Sequence, residues 1–126
     1  VDEIGQGRIE GIDATLVLGP DDILRLRWAR GISIVEEDAL RAMARVNELC
    51  AETRHPMLVD MATTKAVSRG ARTVFGLPCS ASRIALLGSS QVDKVIANFI
   101  LGVSTLPCPT RFFTSEPAAL EWLQEG

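Results

Sequence analysis

The sequence has one histidine, three cysteines and no surplus of basic charge, and each shortage closes off a class of function. His55 stands alone and Cys50, Cys79 and Cys108 are scattered, so neither a metal-ligand cluster nor a CxxC redox pair can be read from their spacing. Widely spaced cysteines in odd number make no disulfide framework and suit partly buried thiols in a reducing cytosol. Thirteen Lys and Arg against sixteen Asp and Glu leave a formal net charge of −3. That balance argues against nucleic acid as a partner and against a polybasic membrane patch. No apolar run is long enough to cross a bilayer. Residues 1–15 carry acids and glycines where a signal peptide needs an apolar stretch. A cytoplasmic location without membrane insertion is therefore expected. Catalytic signatures are missing too: there is no GxSxG, phosphate loop, HExxH or EF-hand pattern. Gly5-x-Gly7 follows no strand and opens no helix, which disqualifies it as a dinucleotide loop. His55 has no nucleophile or orienting acid close in sequence. Nothing local lowers the pKa of Cys79. No catalytic residue, metal or cofactor is expected, and an enzyme is the weaker reading.

What is present suits a globular domain. The 126 residues are 47% hydrophobic and 23% charged, enough to bury a core without staples. Residues 1–11 are glycine-rich and acidic, and loose order is expected there. Ile12 to Leu18 reads as a strand, Gly19-Pro20-Asp21-Asp22 as a turn, and residues 23–28 as a second strand. In that second strand Leu24, Leu26 and Trp28 share one face, while Ile23, Arg25 and Arg27 share a wetter one. The two strands are close enough to pair as an antiparallel hairpin. Ser33 and Glu36 have the spacing of a capping box, and Val35, Ala39, Met43, Val46 and Cys50 recur with helical period through residue 51.

Residues 57–61 form a short apolar run ending in Asp60-Met61, the signature of a central parallel strand. Thr63 and Thr64 suggest a loop, and Ser68 caps a short helix reaching Phe75. Gly70 weakens that helix by about 1 kcal/mol relative to alanine, which raises the question of what packs against it. Residues 83–88 are a further buried strand, Ser90 caps a helix ending near Gly102, residues 111–114 are a strand, and Ser115 caps a final helix containing Leu120, Trp122 and Leu123. The order is β-β-α-β-α-β-α-β-α. It predicts one α/β domain spanning residues 1–126, with a five-stranded, mostly parallel sheet, an N-terminal hairpin and four helices.

Five segments carry a family resemblance: DDILRLRW-ARG, HPMLVDM, SRGAR, RIALLGSSQVDKVIANFILG and PTRFFTSEPAALEWL. Together they cover about residues 15–125. The chain resembles small actinobacterial proteins related to STAS/SEC14-like domains, in the SpoIIAA-like superfamily. The resemblance implies a SpoIIAA-like fold and a regulatory, partner-binding role. In the best-known members a serine at the start of the second helix is phosphorylated to release the partner. That position falls near Gly70, in the run Ser68-Arg69-Gly70-Ala71, so the acceptor is missing and Ser68 is the remaining nearby hydroxyl.

In open α/β sheets the carboxyl ends of the parallel strands make the usual binding rim. Asp60 ends a central strand. Ser89, Ser90, Thr114 and Ser115 follow two others at helix starts, where free N–H groups suit an anion; the plainer role of these hydroxyls is capping. Arg69 and Arg72, with Lys65 nearby, offer positive charge to an acidic partner or a phosphate. Asp60 lacks the companion carboxylates and lysine that a phosphoryl-accepting aspartate needs, so a cap or salt bridge suits it better. The favoured function is a non-catalytic regulatory domain with a protein partner. The alternative is a small-ligand, anion or lipid-binding domain using the same rim. A homodimer is also expected, because Ile23 on the wetter strand face and Ile34, Leu40 and Leu49 outside the helical stripe call for a cover.

Overall fold

The computed structural model describes residues 14–19, 21–50, 53–61, 66–75, 81–88 and 108–125, with residues 66, 67, 72 and 75 described by their backbone alone. The first strand, β1 (Ala14–Leu18), turns back antiparallel onto β2 (Leu24–Trp28), with Ala14 opposite Trp28 and Leu18 opposite Leu24. The connecting turn is closed by Gly19 N–H donating to Ile23 O at 3.1 Å and Asp22 N–H donating to Gly19 O at 3.0 Å. Asp22 takes φ 66°, a left-handed value that a short polar residue tolerates. Asp21 braces the turn twice. Its Oδ1 accepts the Ile23 N–H at 3.2 Å, and both its oxygens meet the Arg25 guanidinium, at 3.1 and 2.9 Å.

The Arg25 hydrogen bond holds the Asp21 carboxyl below its ordinary pKa, with partial burial opposing. A depressed carboxyl contributes stability above its unfolded pKa and loses it as pH falls through the folded one. Asp21→Asn keeps an oxygen for Ile23 and removes the charge. It is expected to cost about 0.5 kcal/mol near neutral pH, the scale of an exposed pair, and nothing once acid has protonated the wild-type carboxyl. Urea melts at the two pH values would show the difference closing.

After Gly31, whose φ of 73° favours a residue without Cβ, the chain forms β3 (Ser33–Ile34) and then α1 (Glu36–Cys50). The cap differs from the expected one. Ser33 is held in strand pairing, so Val35 is the residue before the helix, and Asp38 Oδ2 accepts its N–H at 3.2 Å. Next come β4 (His55–Asp60), β5 (Ala66–Val67), α2 (Arg69–Phe75), β6 (Ala81–Leu87), β7 (Thr110–Phe113) and α3 (Glu116–Glu125). Pro56 lies inside β4, at a register shift between His55 and Met57, where a missing N–H is tolerated. The expected helix over residues 90–102 and the N-terminal residues 1–11 lie outside the described residues.

The main sheet has five strands in the order β1-β2-β4-β6-β7, parallel except for β1. A separate two-stranded parallel ladder joins β3 to β5, where the sequence suggested a helix cap at Ser33 and no strand between Thr64 and Ser68. Both faces of the main sheet are covered, which explains its near-continuous apolar strands. On one face Leu16, Leu24, Leu26, Trp28, Met57, Val59 and Leu86 pack on Ala39, Ala42, Val46 and Cys50 of α1 and Ala71 and Val74 of α2. On the other, Ile23, Leu58, Ala85 and Leu87 pack on Ala119 and Leu123 of α3.

Three assignments of faces change. Ile23 is 1% exposed and belongs to the α3-side core, and Ile34 is 2% exposed within β3. Val35, placed in the helical stripe, is 47% exposed, and Ala42 takes its place in the core. Leu49 packs against the first cluster, which leaves Leu40 exposed among the side chains that motivated a dimer.

Trp28 is 6% exposed, and its indole Nε1 has no hydrogen-bond partner. An orphaned buried donor costs about 1–3 kcal/mol. Trp28→Phe deletes that donor and part of the ring volume, and the two effects oppose. The expected change in unfolding free energy is under about 1 kcal/mol, against about 3–5 kcal/mol for Trp28→Ala. Urea denaturation of both variants checks the contrast.

Candidate functional site

Four parallel strands bring their carboxyl ends to one rim. Register places Arg27 opposite Asp60, Asp60 opposite Leu87, and Leu87 opposite Phe113. Strand alternation turns this row toward the α3 side. The polar members gather at the β2–β4 end. Arg27 Nη1 stands 3.6 Å from Asp60 Oδ2, and Arg27 Nη2 stands 3.7 Å from Glu116 Oε2. Glu116 reaches the row because it opens α3 directly after β7. The side chains are 48%, 24% and 40% exposed for Arg27, Asp60 and Glu116. Long, solvated pairs of this kind contribute at most about 1 kcal/mol each. They leave the guanidinium able to exchange one carboxylate for another.

Thr114 and Ser115 lie at the same rim. Ser115 Oγ accepts the Ala118 N–H at 3.4 Å and Ser115 O accepts the Ala119 N–H at 3.0 Å, so this serine starts α3. Thr114 is exposed. Ser68 and Arg69 are on the other side of the sheet, where α2 packs beside α1. Ser68 Oγ accepts the Ala71 N–H at 3.1 Å, and its own N–H donates to Ile34 O at 2.9 Å. The hydroxyl is thus engaged in capping and the backbone in extending the β3–β5 ladder. Arg69 is exposed at the first position of α2. Arg72 lies on α2, its side chain not described, and Ser89 and Ser90 lie outside the described residues. The candidate residues therefore divide. Asp60, Thr114 and Ser115 share the α3-side rim, whereas Ser68 and Arg69 belong to the α1–α2 side.

Two rim residues escaped sequence reasoning, Arg27 and Glu116. The alternation in residues 23–28 had already set Arg27 on the face that Asp60 shares; the missing step was the register between β2 and β4. His55 is at the amino ends of the strands, away from the rim. Its Nδ1 is 3.0 Å from Asp22 O. A carbonyl can only accept, so Nδ1 carries the proton in this contact. Among the described residues no three His, Cys, Asp or Glu side chains gather as a metal site. None of the described helices is long and apolar enough to cross a membrane.

Comparison with known proteins gives family and fold. The model of a domain of unknown function, DUF7793, matches residues 17–126. A crystal structure of a protein with unknown function from Arthrobacter sp. FB24 is 66% identical, covering 92% of this chain and 97% of that one, with a TM-score of 0.38. An uncharacterised protein of the DUF3478 family from Shewanella loihica PV-4, described as having a SpoIIAA-like fold, is 22% identical, with 90% and 94% of the two chains covered and a TM-score of 0.58. That likeness shows the fold: α/β, SpoIIAA-like, with a five-stranded mixed sheet. No curated protein matches.

Proposed function

The chain belongs to the DUF7793 family of domains of unknown function, and from that footing we propose that it is a non-catalytic regulatory domain that binds a protein partner at the carboxyl-end rim of its sheet. The observation that carries the reading is the open triad of Arg27, Asp60 and Glu116, drawn from two strands and a helix. Arg27 and Glu116 are solvated and loosely paired, so a partner can insert its own charges there without first breaking a buried network. Rigid elements hold all three residues, which fixes register while leaving the charges available. The resemblance to SpoIIAA-like regulators supports the same reading.

The test is charge reversal with a matched control. Tagged wild type, Asp60→Lys, Arg27→Glu and the exposed control Arg41→Glu would be cross-linked in lysate from the source organism and read by mass spectrometry. A partner cross-linked to the rim, lost in both rim variants and retained in the control, is expected. Equal capture by all four proteins would refute the rim. A metabolite or lipid that raises the melting temperature of the wild type, with no effect on Asp60→Asn, would replace the protein partner by a small ligand at the same place.

A further inference from the structure

A second charged surface lies toward the other end of α3. Trp122 is six residues beyond Glu116, about 9 Å along the helix axis. Arg83 of β6 and Arg111 of β7 come up beside it on the α3 face. Ala85 is the register partner of Arg111, so Arg83 sits one same-face step behind it on the neighbouring strand. The Arg83 guanidinium carbon is 4.3 Å from the Trp122 ring centroid, and that of Arg111 is 5.6 Å from the same centroid and 5.2 Å from Phe113. The Phe113 and Trp122 rings are 5.6 Å apart and tilted by 44°. Arg83 is further fixed by donating from Nη1 to Trp122 O at 2.6 Å, a carbonyl in the last turns of α3. Arg111 is exposed. Neither arginine has a carboxylate within ion-pair distance among the described residues.

We propose that Arg83, Arg111 and Trp122 form a docking surface for an acidic segment of a protein partner. Charge complementarity is the argument. Two cations with no carboxylate partner among the described residues sit together on a chain of net charge −3, which leaves them open to acids from outside. Aromatic rings flank both guanidiniums, and exposed Arg111 presents N–H groups that can grip a carboxylate in the paired geometry that arginine favours. Less side-chain freedom is lost on binding, because Arg83 is already tethered. Nucleic acid is the poorer occupant, since its phosphate backbone meets an acidic protein with no wider basic footprint. The surface is independent of the rim triad.

Titration of the 15N-labelled protein with a hexaglutamate peptide at low salt tests this directly. Saturable shifts of the Trp122 indole N–H and the Arg111 Nε–H resonances are expected, weakened about tenfold or more in Arg111→Glu and reduced by added salt. If Arg111→Glu melts early, Arg111→Gln is read by the same criterion. Absence of shifts at Trp122 and Arg111 would overturn the proposal, as would an unchanged affinity in the folded variant. It would equally be overturned if inorganic phosphate or a single-stranded oligonucleotide produced the same shifts at lower concentration than the peptide.

Discussion

Ile23→Lys is expected to abolish the folded state, while Leu40→Lys leaves it within about 0.5 kcal/mol of the wild type. Both side chains are aliphatic and both were candidates for an intersubunit contact. Ile23, however, is 1% exposed and packs with Leu58, Ala85, Leu87, Ala119 and Leu123, whereas Leu40 is 48% exposed. A lysine at position 23 would bring a charge into that apolar cluster. Asp21 Oδ1 accepts the Ile23 N–H and Arg25 Nη1 donates to Ile23 O, both at 3.2 Å, but those two charges are already paired with each other on the wet side of the turn, so the new ammonium has no counter-charge in the cluster. An unpaired buried charge, added to the lost aliphatic contacts, costs more than about 4 kcal/mol. A domain of this size has roughly 5–15 kcal/mol in total. Circular dichroism during urea denaturation would show no native baseline, or a midpoint shifted far down, for Ile23→Lys only. A midpoint close to the wild-type value would mean that Ile23 is not core. Sedimentation equilibrium of the wild type and Leu40→Lys would show whether the exposed leucine supports a dimer.

Ile23 also shows where the sequence stops being informative. Alternation grouped Ile23, Arg25 and Arg27 correctly on one face of β2, but the same face is dry at one end and wet at the other. α3 returns antiparallel to β7, so Leu123 joins Ile23 in one cluster while Glu116 stands opposite Arg27. Strand period reports which residues share a face; the path of a helix more than 80 residues later decides how much of that face is covered. β2 and α1 were legible because each spans enough residues to display its period; the central strands were legible as apolar runs, and α2 and α3 through the capping serines Ser68 and Ser115. The two-residue β3–β5 ladder was not, since two residues cannot show a period. The α1 cap misled for a related reason. Ser33 and Glu36 have capping-box spacing, but strand pairing claims Ser33 and shifts the start of α1. At the rim, Asp60 was readable as a strand-ending carboxylate. Its neighbours Arg27 and Glu116 depended on register and on the turn from β7 into α3, neither of which is local.

Gly70→Val is expected to destabilise the protein by about 3 kcal/mol, although glycine is itself a poor helix former. A Cβ at position 70 would lie 2.9 Å from Glu36 Cβ, 2.6 Å from Glu36 Oε1 and 3.2 Å from Glu36 Cδ. The carboxylate is the far end of a flexible side chain and can swing away. The Cβ is fixed to the first residue of α1 and cannot, so α1 and α2 must separate. Both helices pack over the same core, through Ala39 and Ala42 on one and Ala71 and Val74 on the other, and separation would open that contact. Gly70→Ala recovers up to about 1 kcal/mol of helix propensity and meets the same fixed Cβ, so its net cost is the smaller of the two. The cause can be isolated with second substitutions at position 36. Glu36→Ala removes the carboxylate and leaves the 2.9 Å encounter, so it relieves Gly70→Val only in part. Glu36→Gly removes every atom named and restores room for the new Cβ, at the expense of a glycine in the first turn of α1. In urea denaturation the pair Gly70→Val with Glu36→Gly is therefore expected to be more stable than the sum of the single losses, by roughly 1–2 kcal/mol of coupling. Strict additivity would show that the glycine serves something other than the close approach of α1 and α2.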